Sequence, residues 1–237
     1  MRTCEGPIDG RFYVVDEEKN IFLPSVTTIL GHMTDKSFIK EWTAAIGAEK
    51  AKQISERAAN RGTYMHTLLE KFLHSKFVLN DDDNLKYAIV EARLECPAFT
   101  DDEYVCGKNL FFNFYNSQFL KNVKEVLYQE VPVWSINSSF AGRLDLCILN
   151  VKDQIVMIDF KSSKKPKRVE NILNYKMQVA AYSYGLWERY KIWPHHCEIW
   201  ISCESGELQT FTLDQNEMKF YFEEFRKLSL KFKKLYL

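Results

Sequence analysis

Three short stretches decide the reading of this chain: Gly142-Arg143-Leu144-Asp145-Leu146, then Ile158-Asp159-Phe160-Lys161, then Gln178-Val179-Ala180-Ala181-Tyr182. The first two have the period of paired strands. Side chains alternate between the two faces of a strand, so Asp159 and Lys161 are expected on one face, with Ile158 and Phe160 pointing into a core. Asp145, flanked by Leu144 and Leu146, is expected to oppose an apolar face in the same way. Two acids and an amine so placed can hold a divalent metal beside a water that attacks phosphate.

Working outward, strands are predicted over 126–136, 142–149 and 154–161, separated by the polar turns Asn137-Ser138-Ser139 and Asn150-Val151-Lys152-Asp153. A helix over 174–189 follows, then strands at 198–203 and 208–212. Asp214 and Glu217 have the spacing of a capping box and open a final helix. Before the strands, Arg11–Val15 and Ile21–Leu23 suggest a hairpin, and Ser25 is placed to cap a short helix starting at Val26. The pattern is helical from Ser37 to about Lys76, with Met65, Leu68, Leu69, Phe72 and Leu73 as its apolar stripe and Gly62 expected near the start of that stripe's helix. Two more helices fall between Asp83 and Phe119, broken around Pro97 and Asp101-Asp102-Glu103. Helices, a meander, a helix and further strands make an α+β, mixed-sheet fold with an N-terminal helical lobe.

The chain has 237 residues, enough to bury a full core, and 32 basic side chains balance 32 acidic ones. A net charge of zero argues against coating nucleic acid by bulk charge, so phosphate binding must come from local patches. Lys161, Lys164, Lys165, Lys167 and Arg168 form one such patch. Lys227, Lys231, Lys233 and Lys234 form another, which reads better as solvated charge. The six cysteines show no Cys-x-x-Cys pair, and a reducing, cytoplasmic setting in a bacterial or phage-infected cell is expected, with an organelle as the alternative. No signal peptide or membrane-spanning run is read, so no membrane partner is expected. A Walker loop is missing, so the chain is not read as an ATP-driven motor.

Phosphodiester hydrolysis builds negative charge at phosphorus and on the leaving oxygen, and divalent ions neutralise both. Hard ions such as Mg²⁺ take carboxylate and carbonyl oxygens. Asp145 and Asp159 offer two carboxylates, and Lys161 is one strand repeat away, placed to orient water or stabilise developing charge. The plain alternative is an ion pair between Lys161 and an acid across the hairpin. His66 lies beside the apolar stripe with Glu70 one turn on, so the two share an edge of the helix. A lone histidine is more often structural than a ligand, and Glu70 reads either as a ligand or as the group that orients His66. Arg143 shares a strand face with Asp145 and either binds phosphate or pairs with that acid. Gln178 and Tyr182 are one helical turn apart and would line one wall.

In order along the chain, Arg61-Gly62-Thr63-Tyr64-Met65-His66, Glu130-Val131-Pro132-Val133, Gly142-Arg143-Leu144-Asp145, Ile158-Asp159-Phe160-Lys161 and Gln178-Val179-Ala180-Ala181-Tyr182 resemble the RecB-type nucleases of the PD-(D/E)XK superfamily. Within them the chain is similar to the single-domain exonucleases of phages and of mitochondrial genome maintenance. The resemblance implies a restriction-endonuclease-like core sheet flanked by helices. It divides the chain into a hairpin and helical lobe (1–122, contributing His66) and a nuclease core (123–237) within one compact unit. It implies that His66, Asp145, Asp159 and the Phe160 carbonyl bind Mg²⁺ or Mn²⁺, and that Asp145, Asp159, Lys161 and Gln178 act in catalysis. Arg143, Ser162, Lys164 and Tyr182 are expected to bind substrate. Glu130 reads either as a metal or basic-partner contact or as an exposed strand residue. Only Cys197 and Cys203 follow the glutamine motif, so no iron–sulfur cluster is expected.

The activity implied is a metal-dependent DNA exonuclease preferring single strands or frayed ends, acting from a 5′ end, with replication or recombination proteins as candidate partners. Trp42, Tyr64 and Phe72 are candidates for stacking on bases. The rivals are a structure-selective endonuclease using the same site and a nuclease-like DNA-binding subunit without turnover.

Overall fold

The computed structural model describes residues 1–75 and 81–237. A small antiparallel sheet opens the chain, with strands β1 (Arg2–Cys4), β2 (Phe12–Asp16) and β3 (Ile21–Pro24). The hairpin is the expected one; β1 was not anticipated, because three polar or small residues carry no alternation to detect. Ser25 then caps α1 (Val26–Met33), its hydroxyl accepting the Thr28 N–H at 2.9 Å.

The helical run from Ser37 is two helices, α2 (Ser37–Ile46) and α3 (Ala48–Ser75), and Lys76, its expected end, lies outside the described residues. Gly47 breaks the run at φ 88°, a left-handed conformation that costs other residues energy. Helices α4 (Asp81–Glu95), α5 (Asp101–Tyr115) and the short α6 (Phe119–Asn122) complete this lobe. Gly62 is not near a helix start but in the middle of α3. A Cβ there would lie 2.9 Å from Ser162 Oγ, so the glycine serves close approach of helix to strand rather than a cap.

The main sheet has the order β4 (Val123–Ser135), β5 (Phe140–Asn150), β6 (Ile155–Ser163), β7 (His196–Cys203) and β8 (Leu208–Leu213). All its pairings are antiparallel except β6–β7, which α7 (Leu173–Tyr190) joins as a crossover. The capping box of Asp214 and Glu217 opens α8 (Gln215–Tyr236) as expected. This is the α+β fold predicted, a five-stranded mixed sheet flanked by helices.

Two cores lie on opposite faces of the sheet. One joins Leu144, Met157 and Ile199 to α1, α7 and α8. The other joins Leu146, Ile158 and Phe160 to α3, α4 and α5. The α3 stripe is buried throughout: Met65, Leu68, Leu69, Phe72 and Leu73 are at most 1% exposed, each contributing roughly 1.5–3 kcal/mol on burial. Tyr64 and Phe72 belong to this core and cannot stack on bases; Trp42 on α2 is only half-buried.

Leu144 and Leu146 do not share a face, contrary to expectation. The pairing of β5 with β6 runs only from Leu149–Ile155 to Leu146–Ile158, and beyond it the strands part. Leu144 turns to one core and Leu146 to the other. That parting creates the floor of the site.

Candidate active site

Where β5 and β6 separate, ladder hydrogen bonds stop and the Phe160 N–H needs another acceptor. Asp145 Oδ2 takes it at 2.8 Å. Asp159 lies on the opposite face of β6 from Phe160, 1% exposed and paired with Lys161 Nζ. Lys161 Nζ also sits 5.3 Å from the centre of the Tyr175 ring.

His66, on α3, brings Nδ1 to 3.6 Å from Asp145 Oδ2. Glu130 joins them: His66, Glu130 and Asp145 have ligand-type atoms within 4.8 Å of one another. Glu130 adopts φ +49°, a left-handed conformation rare for a residue with a side chain and costing about 1–2 kcal/mol. It interrupts the β4–β5 ladder between Gln129–Leu146 and Val131–Leu144. Of the two readings left open for Glu130, exposed strand residue is the one the geometry disfavours.

These groups open into a cleft of about 900 Å³. One wall is α3, with Gly62, Thr63, His66 and Glu70; the other is the N-terminal sheet and the start of α1, with Arg2, Arg11, Tyr13 and Thr27. Arg143, Asp145, Lys161 and Ser162 line the floor with Gln178 and Tyr182. Gln178 Nε2 donates to the Tyr182 hydroxyl at 3.2 Å. Arg143 pairs with Glu130 at 3.8 Å rather than with Asp145. Two of the expected residues are not part of the cleft lining: Lys164 is exposed on the loop after β6, and Asp159 is buried at 1% exposure, in contact with Lys161, which does line the cleft. Sequence reasoning passed over Arg11, Tyr13 and Tyr175, which come from segments outside the five motifs.

The electrostatics favour a cation. Burial raises the Glu130 carboxyl to about 8, with Asp145 and Glu70 adding repulsion. Burial raises Asp159 to about 6, Asp145 pushing the same way and Lys161 opposing. Asp145 is also raised by burial, against the pull of Lys161. Burial and then Lys161 lower His66 to about 4, so its imidazole is neutral and free to act as a ligand at neutral pH. Crowded carboxylates and a neutral histidine form a donor set that fits a hard divalent ion.

This predicts how stability depends on pH. Raised carboxyl pKa values mean that the folded chain holds more protons than the unfolded one, so stability falls as pH rises toward about 6 for Asp159 and about 8 for Glu130. His66 acts oppositely, adding stability as pH climbs from about 4 to 6.5. Above 6.5, Glu130 is left dominant, and metal-free stability should drop by about 1–2 kcal/mol between pH 6.5 and 8. Urea midpoints with and without Mn²⁺ test this: the ion should remove the drop, and a flat metal-free profile would contradict it.

Gly142 is required by Tyr182. A Cβ on Gly142 would fall 2.4 Å from Tyr182 Cε1, a ring fixed by α7. Gly142→Ala should cost about 1–3 kcal/mol in chemical denaturation and displace Tyr182 from Gln178. An unchanged midpoint would show that the ring has room to move.

A neutral histidine and crowded acids, beside a buried acid–lysine pair where two strands part, make a candidate site for a divalent cation. The model of the PD-(D/E)XK nuclease superfamily matches residues 42–233. The chain belongs to that superfamily and is a nuclease, a hydrolase acting on nucleic acid, of a class that uses divalent metal ions. Its sheet and flanking helices are the restriction-endonuclease-like fold. Among solved structures, the chain is similar to a "Putative exonuclease" from Eubacterium rectale, with 13% identity, a TM-score of 0.43, and coverage of 73% of this chain and 69% of that one. It is also similar to SSO0001, with 18% identity, a TM-score of 0.33, and coverage of 68% and 84% respectively. No curated protein matches the sequence.

Proposed function

We propose that the chain is a Mg²⁺- or Mn²⁺-dependent DNA exonuclease of the RecB type, akin to those of phages and mitochondrial genome maintenance. It acts on single strands or frayed ends and starts from a 5′ end. One observation carries the metal-dependent reading: His66, Glu130 and Asp145 converge within 4.8 Å beside the Asp159–Lys161 pair. His66, Glu130, Asp145, Asp159 and the Phe160 carbonyl are the groups that would hold metal. A bound divalent ion supplies charge neutralisation at the phosphate and a more acidic water. Lys161 keeps its proton, because Asp159 and Asp145 outweigh the effect of its burial, and so presents a cation to the anionic phosphate. Gln178 and Tyr182, joined by their hydrogen bond, hold the opposite edge of the floor. The two-walled cleft supports entry of a single strand and, with it, the preference for ends.

Linear and circular single-stranded DNA, incubated with Mg²⁺, Mn²⁺ or chelator, test the proposal. Linear DNA should be degraded only with metal, a 5′ label should be released first, and the circle should survive. Cleavage of the circle would favour the endonuclease. Early release of a 3′ label would reverse the direction, and binding without cleavage under either metal would favour a scaffold.

A further inference from the structure

Four arginine or lysine side chains line the cleft: Arg2, Arg11, Arg143 and Lys161. Three are already engaged by acids. Arg2 pairs with Glu17 at 3.1 Å, Arg143 with Glu130 at 3.8 Å, and Lys161 with Asp159. Among the described residues, Arg11 has no carboxylate within ion-pair distance; its guanidinium reaches only the Tyr13 hydroxyl, at 3.5 Å.

The backbone of Arg11 is held from several directions. Its N–H donates to Thr28 Oγ1 at 2.8 Å, and its carbonyl accepts from the Ser25 N–H at 2.8 Å and the Thr28 hydroxyl at 3.2 Å. Gly10, at φ +143°, packs so tightly that a Cβ would lie 2.4 Å from Thr28 Cγ2. A rigidly held arginine, unpaired and facing a cleft whose other face is acidic, is arranged for an anion. Charge separates across the cleft: acids and histidine gather where metal would sit, and an uncompensated guanidinium stands on the opposite wall.

We infer that Arg11 is a substrate-binding residue that grips a backbone phosphate of the nucleic-acid strand, away from the bond being cut. This rests on the nuclease reading and adds to it the wall along which the strand lies. Guanidinium–phosphate contact is charge-assisted, two-pronged and blind to base sequence. A contact of this kind releases counterion, so it carries a salt signature that a purely structural arginine lacks.

The test is binding of a fluorescent 12-nucleotide oligothymidylate in chelator, across a series of salt concentrations, for wild type, Arg11→Gln, Arg11→Lys and Lys231→Gln. Arg11→Gln should weaken binding by about tenfold and flatten the log Kd against log salt slope by about 0.7, the share of one single-strand phosphate. Arg11→Lys should keep the slope, and Lys231→Gln, at an exposed position of α8, should change neither quantity. The same change should appear with an oligonucleotide of mixed sequence. An unchanged slope for Arg11→Gln, at an unchanged melting temperature, overturns the inference; so does equal loss in Arg11→Lys. If wild type neither binds nor cleaves with metal added, the nuclease reading itself fails, a distinct result.

Discussion

Asp145→Asn should lower metal-dependent strand cleavage by about three orders of magnitude while leaving the fold intact. The argument separates two jobs of one side chain. Asp145 Oδ2 accepts the Phe160 N–H at 2.8 Å where β5 and β6 part, and an asparagine Oδ1 can accept the same bond. What asparagine cannot supply is charge, and charge is what the donor set of His66, Glu130 and Asp145 offers a divalent ion. Removing it also eases the repulsion that helps raise Glu130, so the metal-free melting temperature should hold or rise. Asp145→Ala is the contrast: it strands the Phe160 N–H, at a cost of about 1–3 kcal/mol. Initial rates on labelled DNA with Mn²⁺, beside thermal melts in chelator, separate these outcomes. An active Asp145→Asn enzyme would remove Asp145 from the metal centre.

Lys161→Met carries the second large effect. Methionine approximates the length of the lysine stem but brings no cation, so kcat should fall about 10²–10³-fold. Stability should fall as well, because Asp159, 1% exposed, loses the charge it faces. Truncating one member of a buried pair costs up to about 3–5 kcal/mol, less where the orphaned acid takes a proton, as Asp159 with its pKa already near 6 is disposed to do. The loss should therefore shrink at pH 5. The double variant Lys161→Met with Asp159→Asn should recover stability without recovering activity. If the single variant proves as stable as wild type at pH 8, the pair is not the electrostatic unit described.

The floor of the site could be read from sequence because strand alternation and helical spacing are local rules. Asp159, Lys161, Gln178 and Tyr182 each belong to a segment whose period shows which way they face. What could not be read depended on distant pieces meeting. Gly62 looked like a helix start because nothing in α3 discloses that Ser162 will press against it. Leu144 and Leu146 were assigned one face because a strand that leaves its partner midway has no sequence signature. Glu130 stayed ambiguous because its left-handed backbone is set by the sheet around it. Arg11 went unnoticed for a similar reason: its meaning comes from what it lacks, an acid within reach, and that is a property of the cleft.

The most direct test of the central claim, that these acids and His66 form a divalent-metal centre, is an anomalous difference map from crystals of the protein loaded with Mn²⁺. A peak in direct contact with His66 and Asp145, lost in Asp145→Asn, is the predicted result. A wild-type map with no peak in the cleft, or with manganese bound only elsewhere on the protein, would contradict the account.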